Sequence, residues 1–94
     1  MSTLSTVSKL QIVFPLRNNG QDYLGGMVEV AGEAFRIKGD LAKTWLNIID
    51  ADGRQESCVI EDGYIVHESG EWVTEHWTDE DWHAMNLHLA QAKA

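Results

Sequence analysis

Ninety-four residues include one cysteine, Cys58, and one proline, Pro15. A lone thiol closes no internal disulfide, which fits a reducing cytosol. No apolar run approaches the roughly 20 residues needed to cross a bilayer. The start of the chain, Met1 to Val7, lacks a basic stretch followed by a long apolar one, so it does not read as a signal peptide. A cytoplasmic protein with no membrane partner is expected. Catalytic signatures are missing too. There is no glycine-rich phosphate loop after a strand, no GxSxG and no zinc-ligand spacing. No basic-aromatic surface marks a nucleic-acid reader, so no direct nucleic-acid binding is expected. Arg36, Lys38 and Lys43 form only a small positive cluster.

Positive charge is scarce: seven Lys and Arg stand against fifteen Asp and Glu, for a net charge of −8. The imbalance is segregated. Residues 1 to 54 hold six acids and six bases, whereas residues 55 to 94 hold nine acids and one base, Lys93. Such a half repels nucleic acid and anionic membranes and attracts basic surfaces. Hydrophobic residues make up 44% of the chain, enough for a packed globule. The length fits one domain, read as residues 9–94 behind a flexible tail over residues 1–8.

The periodicity predicts strands. Leu10, Ile12 and Phe14 alternate onto one side, and Pro15 ends that strand or puts it on an edge. Gly25-Gly26 signals a bulge or bend. Residues 27 to 38 form a hairpin around Ala31-Gly32, with Val28, Val30, Phe35 and Ile37 on one face. Met27, Glu29, Arg36 and Lys38 take the other. Asp52-Gly53 and Asp62-Gly63 are two further hairpin turns. In the simplest register, Leu46, Val59 and Val66 share a face, and Trp45, Cys58, Ile60 and Ile65 share the opposite one. Both faces are then fairly apolar: a helix covers one, and the other needs a curled sheet or a partner.

Near the C-terminus Thr78 is a helix N-cap, with Asp79, Glu80 and Asp81 in the first turn, where they favour the positive end of the dipole. Trp77 and Trp82 hold the positions of a hydrophobic staple. Trp82, Met85 and Leu89 would pack on the sheet. The expected fold is α+β: an antiparallel meander of five to six strands with one C-terminal helix packed on one face.

Each candidate has a plain reading beside a functional one. The acids of strands and loops, Glu56, Glu61, Asp62, Glu68, Glu71 and Glu75, are either ordinary solvated surface or a docking patch. Nine carboxylates match the charge of roughly 15 Å of duplex DNA, so the patch would suit a protein built to hold phosphates. Trp77 and Trp82 are explained by the staple, while Trp72 is not; exposed among acids it would be an interface anchor. Cys58 and His67 lie directly opposite across a two-residue Asp62-Gly63 hairpin. They read as a half-buried core pair ahead of a nucleophile with its base, because no orienting third group is evident. No Cys/His set completes a metal site, and His83 and His88 fall on different helix faces. No metal and no cofactor is expected.

In size, in the charge of residues 55 to 81 and in its lack of catalytic motifs, the chain resembles small phage-encoded counter-defence proteins such as anti-CRISPR inhibitors. The resemblance covers no diagnostic motif and carries over no residues. It implies a non-enzymatic acidic protein that docks on a basic, nucleic-acid-binding surface of a larger protein or ribonucleoprotein complex and inhibits it. Expected contact residues are Glu61, Asp62, Glu68, Glu71, Trp72, Glu75 and Glu80. The alternative is a structural or assembly subunit, a homodimer through the second apolar sheet face.

Overall fold

The computed structural model describes residues 8–18, 20 and 22–92. Six strands follow in chain order: β1 (Leu10–Asn18), β2 (Tyr23–Val30), β3 (Glu33–Asp40), β4 (Trp45–Ile49), β5 (Gln55–Glu61) and β6 (Tyr64–Gly70). They form one antiparallel sheet in the order β1-β2-β3-β4-β5-β6, followed by α1 (Asp79–Gln91). This is the α+β meander and C-terminal helix that the periodicity predicts. The tail expected over residues 1–8 falls on residues 1–7, outside the described residues; the Ser8 hydroxyl donates to Asp81 Oδ1 at 3.0 Å.

Turn chemistry fixes most of the register. Ala31-Gly32 and Asp62-Gly63 all have positive φ, the geometry of the tight hairpin turns that match strand twist. Val28 therefore pairs with Phe35, and Cys58 with His67, as the spacing requires. The β4–β5 register differs from expectation. Asp50 N–H donates to the Arg54 carbonyl at 3.0 Å and Gly53 N–H to the Asp50 carbonyl at 3.1 Å, which makes the loop three residues long. The Asp50 carboxylate also accepts from the backbone N–H of Asp52 and Arg54 and from Arg54 Nε. The longer loop slides the pairing by one residue. Leu46 faces Cys58, not Val59, and Trp45 faces Val59.

β1 departs as well. It continues through Pro15 to Asn18, on an edge, where a missing N–H costs no ladder bond. Its pairing shifts twice, between Ile12 and Phe14 and again between Phe14 and Arg17. Phe14 thereby leaves the face expected for it and is 61% exposed, while Leu16 turns into the core. Gly26 makes the second shift possible: a Cβ there would stand 2.7 Å from the Phe14 carbonyl oxygen and 3.1 Å from the Leu16 backbone.

The inner face carries Leu24, Val28, Val30, Phe35, Ile37, Leu46, Ile48 and Cys58, packed with Met85 and Leu89 of α1. Burying a side chain such as Met85 or Leu89 contributes about 1.5–3 kcal/mol each. The helix starts as its sequence demands. Thr78 and Asp81 form a reciprocal capping box, and the Trp77 and Trp82 rings meet at 4.7 Å.

Both sheet edges reach this helix. Leu16 N–H of β1 donates to His88 Nε2 at 3.0 Å, and Ile65 N–H of β6 donates to Asn86 Oδ1 at 3.0 Å. Flat, six strands would hold their edges roughly 24 Å apart. Asn86 and His88 are only about 3 Å apart along the helix axis. The sheet therefore curls into an open barrel, and α1 closes the seam and satisfies an edge N–H on each side.

Candidate functional site

Alternation along β5 points Glu56 inward with Ile48 and Cys58, and its side chain is 0% exposed. The expectation that Glu56 belongs to the solvated acids is thus corrected. Its carboxylate is enclosed by donors. Oε1 accepts from Thr74 N–H at 3.1 Å and from the Thr74 hydroxyl at 2.8 Å, and Oε2 lies 3.0 Å from His67 Nδ1. A buried carboxylate needs such partners, because an unpaired one costs several kcal/mol.

His67 passes the order outward. Trp72 stacks on its imidazole at 3.4 Å between ring centroids and 11° between planes. Trp72 itself is 60% exposed. An aromatic that would otherwise sample many rotamers is thus braced from below by a histidine and a buried acid. The segment around it alternates: Glu71 and Trp72 point out, Val73 and Thr74 in, Glu75 and His76 out, Trp77 in. Gly70 (φ +84) begins this turn-out; a Cβ there would meet the Gln55 carbonyl oxygen at 2.6 Å. Glu71 N–H then donates to that same Gln55 carbonyl at 3.0 Å.

Between β6 and the start of α1 the surface sinks into a depression of about 640 Å³. Ile65, His67, Trp72, Glu75, Trp77 and Trp82 are on its walls. Among the described residues, the buried Trp77 indole N–H has no hydrogen-bond partner.

The expected contact residues divide by position. Glu68, on the irregular pairing of β6, and Glu71, Trp72 and Glu75 gather at the end of β6 and just beyond it. Glu61 and Asp62 sit at the β5–β6 turn, the opposite end of a seven-residue strand. That separation is roughly 20 Å, more than a Debye length at physiological salt. Glu80 is half-buried in the first turn of α1, and Asp79 beside it is exposed. Asp81 is buried: it accepts from Ser8, from Lys9 N–H at 2.8 Å and from Thr78 N–H at 3.0 Å. Its burial works against ionisation, yet these donors hold its carboxyl below the usual value. Glu56 and Asp81 therefore act inside the fold, and the other C-terminal acids stay toward solvent.

Cys58 is 1% exposed, and burial, with the charges of Glu56 and Glu68, pushes its thiol up to about 12. Such a thiol does not ionise near neutrality, which speaks against it as a nucleophile. Among the described residues no three His, Cys, Asp or Glu side chains gather as metal ligands, and no helix is long and apolar enough to cross a membrane.

The Glu56–His67–Thr74 cluster escaped the sequence reading although a signal was present. Glu56 is two residues from Cys58 and so shares its face, opposite His67. Thr74 had no such signal, because it lies in an irregular connection. Comparison with known protein families, curated proteins and solved structures finds no match to this chain.

Proposed function

We propose that the protein is a non-enzymatic binding protein that acts in the cytoplasm. Its acidic C-terminal surface docks on a basic, nucleic-acid-binding surface of a larger protein or ribonucleoprotein complex and inhibits it, in the manner of phage counter-defence inhibitors. The observation that carries this reading is Trp72: an indole stacked on His67, 60% exposed, sharing a depression with Glu75 and with the exposed Glu68 and Glu71 within four residues of it in the chain. Interface hot spots are enriched in tryptophan, and a pre-ordered anchor loses little entropy on binding. The carboxylates supply attraction to Lys and Arg grooves and speed encounter.

The test is capture from a host lysate on immobilised protein, eluted by a salt gradient. Reversing Glu68, Glu71 and Glu75 to Lys should abolish capture at moderate salt, while reversing Glu29 and Glu33 should not. Asp40 is unsuitable as a control because it accepts from Thr44 N–H, the Thr44 hydroxyl and Trp45 N–H. Equal loss from both sets would remove the localised acidic face from consideration.

A second reading has its own support. Phe14 is largely exposed beside Pro15, Met27 and Ile49 in a depression of about 730 Å³ on the outer sheet face. A homodimer through that face predicts a doubled mass in light scattering, reduced to monomer by Phe14→Ser.

A further inference from the structure

The depression between β6 and α1 has a composition that its place beside the acidic surface does not require. Trp72, Trp77 and Trp82 all line it, together with Glu75 and the apolar Ile65 and Val66. Indole faces attract cations through their quadrupole, and attraction grows when the cation is partly desolvated. A guanidinium is planar, weakly hydrated and able to stack on an indole while it meets a carboxylate side-on; an ammonium is a compact, strongly hydrated point charge. We propose that this depression is a socket for one arginine side chain of the docked partner, its guanidinium lying on the exposed Trp72 indole and paired with the Glu75 carboxylate. The inference rests on the docking function above and names the chemistry its centre selects.

Two features argue for a socket over a mere surface dimple. The Trp72 ring is fixed before binding, since His67 stacks on it and Glu56 holds His67. Fixed aromatic walls select a planar cation over a flexible one. The charge suits a cation: Glu68 and Glu71 lie close by in the chain, the Glu75 carboxylate is exposed with the likewise exposed His76 imidazole at 3.8 Å, and Arg54, which couples electrostatically to Glu71, is already paired with Asp50 at 3.0 Å.

The experiment uses the full chain labelled with nitrogen-15, whose tryptophan indole N–H signals are followed as Nα-acetyl-arginine methylamide is added. The expected result is a saturable shift of the Trp72 signal with a dissociation constant in roughly the millimolar range. The matched lysine amide should bind at least threefold more weakly. Glu75→Gln should weaken the arginine probe about threefold or more, and Glu61→Gln should leave it unchanged. Shifts that rise linearly without saturation, or that are equal for arginine and lysine, would overturn the socket. The two proposals fail separately in the lysate experiment. If Trp72→Leu with Glu75→Gln leaves capture intact while Glu68→Lys with Glu71→Lys abolishes it, docking stands and the socket falls. Loss of capture in both supports the socket.

Discussion

Replacing Glu56 by alanine is expected to destabilise the protein far more than replacing Glu61, although both are glutamates of β5. Glu56 is fully buried and serves Thr74 N–H, the Thr74 hydroxyl and His67 Nδ1. The hydroxyl and the imidazole can reorient after the deletion. The backbone N–H of Thr74 cannot, and a stranded buried donor costs about 1–3 kcal/mol. Breaking a buried pair by removing one partner typically costs about 3–5 kcal/mol in all. For a domain of this size that lowers Tm by at least about 12 °C, against a total stability of about 5–15 kcal/mol. Glu56→Gln keeps the shape and an acceptor for Thr74, so only charge assistance is lost, about 1–2 kcal/mol. Glu61→Ala, exposed at the turn, should stay within about 0.5 kcal/mol of the parent. Urea unfolding followed by tryptophan fluorescence measures all three, with the midpoint read at constant slope. A cost below about 1 kcal/mol for Glu56→Ala would refute the argument that this carboxylate anchors the β5–β6–Thr74 junction.

Burial lowers the pKa of His88, whose neutral ring must accept Leu16 N–H, so the unfolded chain takes up the proton first and stability falls as pH drops below about 6.5. His88→Gln, which retains an acceptor, should flatten that slope in denaturation midpoints between pH 7 and 5. The lowered carboxyl of Asp81 acts at more acid pH: its stabilisation is present above 3.8 and lost as pH falls through the folded value, so Asp81→Asn should remove part of the final acid transition in a circular-dichroism titration. Cys58, with its thiol up at about 12, should resist an aromatic disulfide reagent at pH 8 in the native protein and react at once in denaturant. Gly70→Ala should cost about 1–3 kcal/mol in thermal melts, because its left-handed backbone and the nearby Gln55 carbonyl leave no place for a Cβ.

What period-two alternation and turn residues encode was legible. The Ala31-Gly32 and Asp62-Gly63 hairpins, the inner face of Val28, Val30, Phe35 and Ile37, and the Thr78 cap all follow from local chemistry. The Asp52-Gly53 register was misread because Asp50, outside the dipeptide, binds the loop and lengthens it. An edge strand at Pro15 and a bulge near Gly25-Gly26 could both be read, but not the turn of Leu16 into the core, which depends on Gly26 across the strand pair, a non-local fit. The Trp72 brace was half visible: the exposed tryptophan and the Cys58–His67 pairing could be read, but not the stack that joins His67 to Trp72. Closure of the sheet by α1 was beyond local reading, since His88 and Asn86 gain meaning only when both edges arrive beside one helix.

A meander has a consequence for charge that other topologies lack. Strand order equals chain order, so a sequence half becomes a sheet half. The helix is the element able to spoil this, because it returns to β1. It meets Lys9 N–H, a backbone donor just before β1, at its N-terminal end, and Lys43 Nζ, from the β3–β4 turn, on the Ala90 carbonyl at its C-terminal end, where a cation suits the dipole. Neither base is drawn to the segment from Glu68 to Glu75. Beside that segment the exposed His76 imidazole lies 3.8 Å from Glu75, and Arg54 of the other half couples electrostatically to Glu71. Asp50 takes its guanidinium first, while the Asp50 side chain is itself locked by two backbone N–H groups of its loop. An acid of the charge-balanced half thus pairs with the arginine that couples to Glu71, and the loop that shifts the register is also what holds that guanidinium on Asp50.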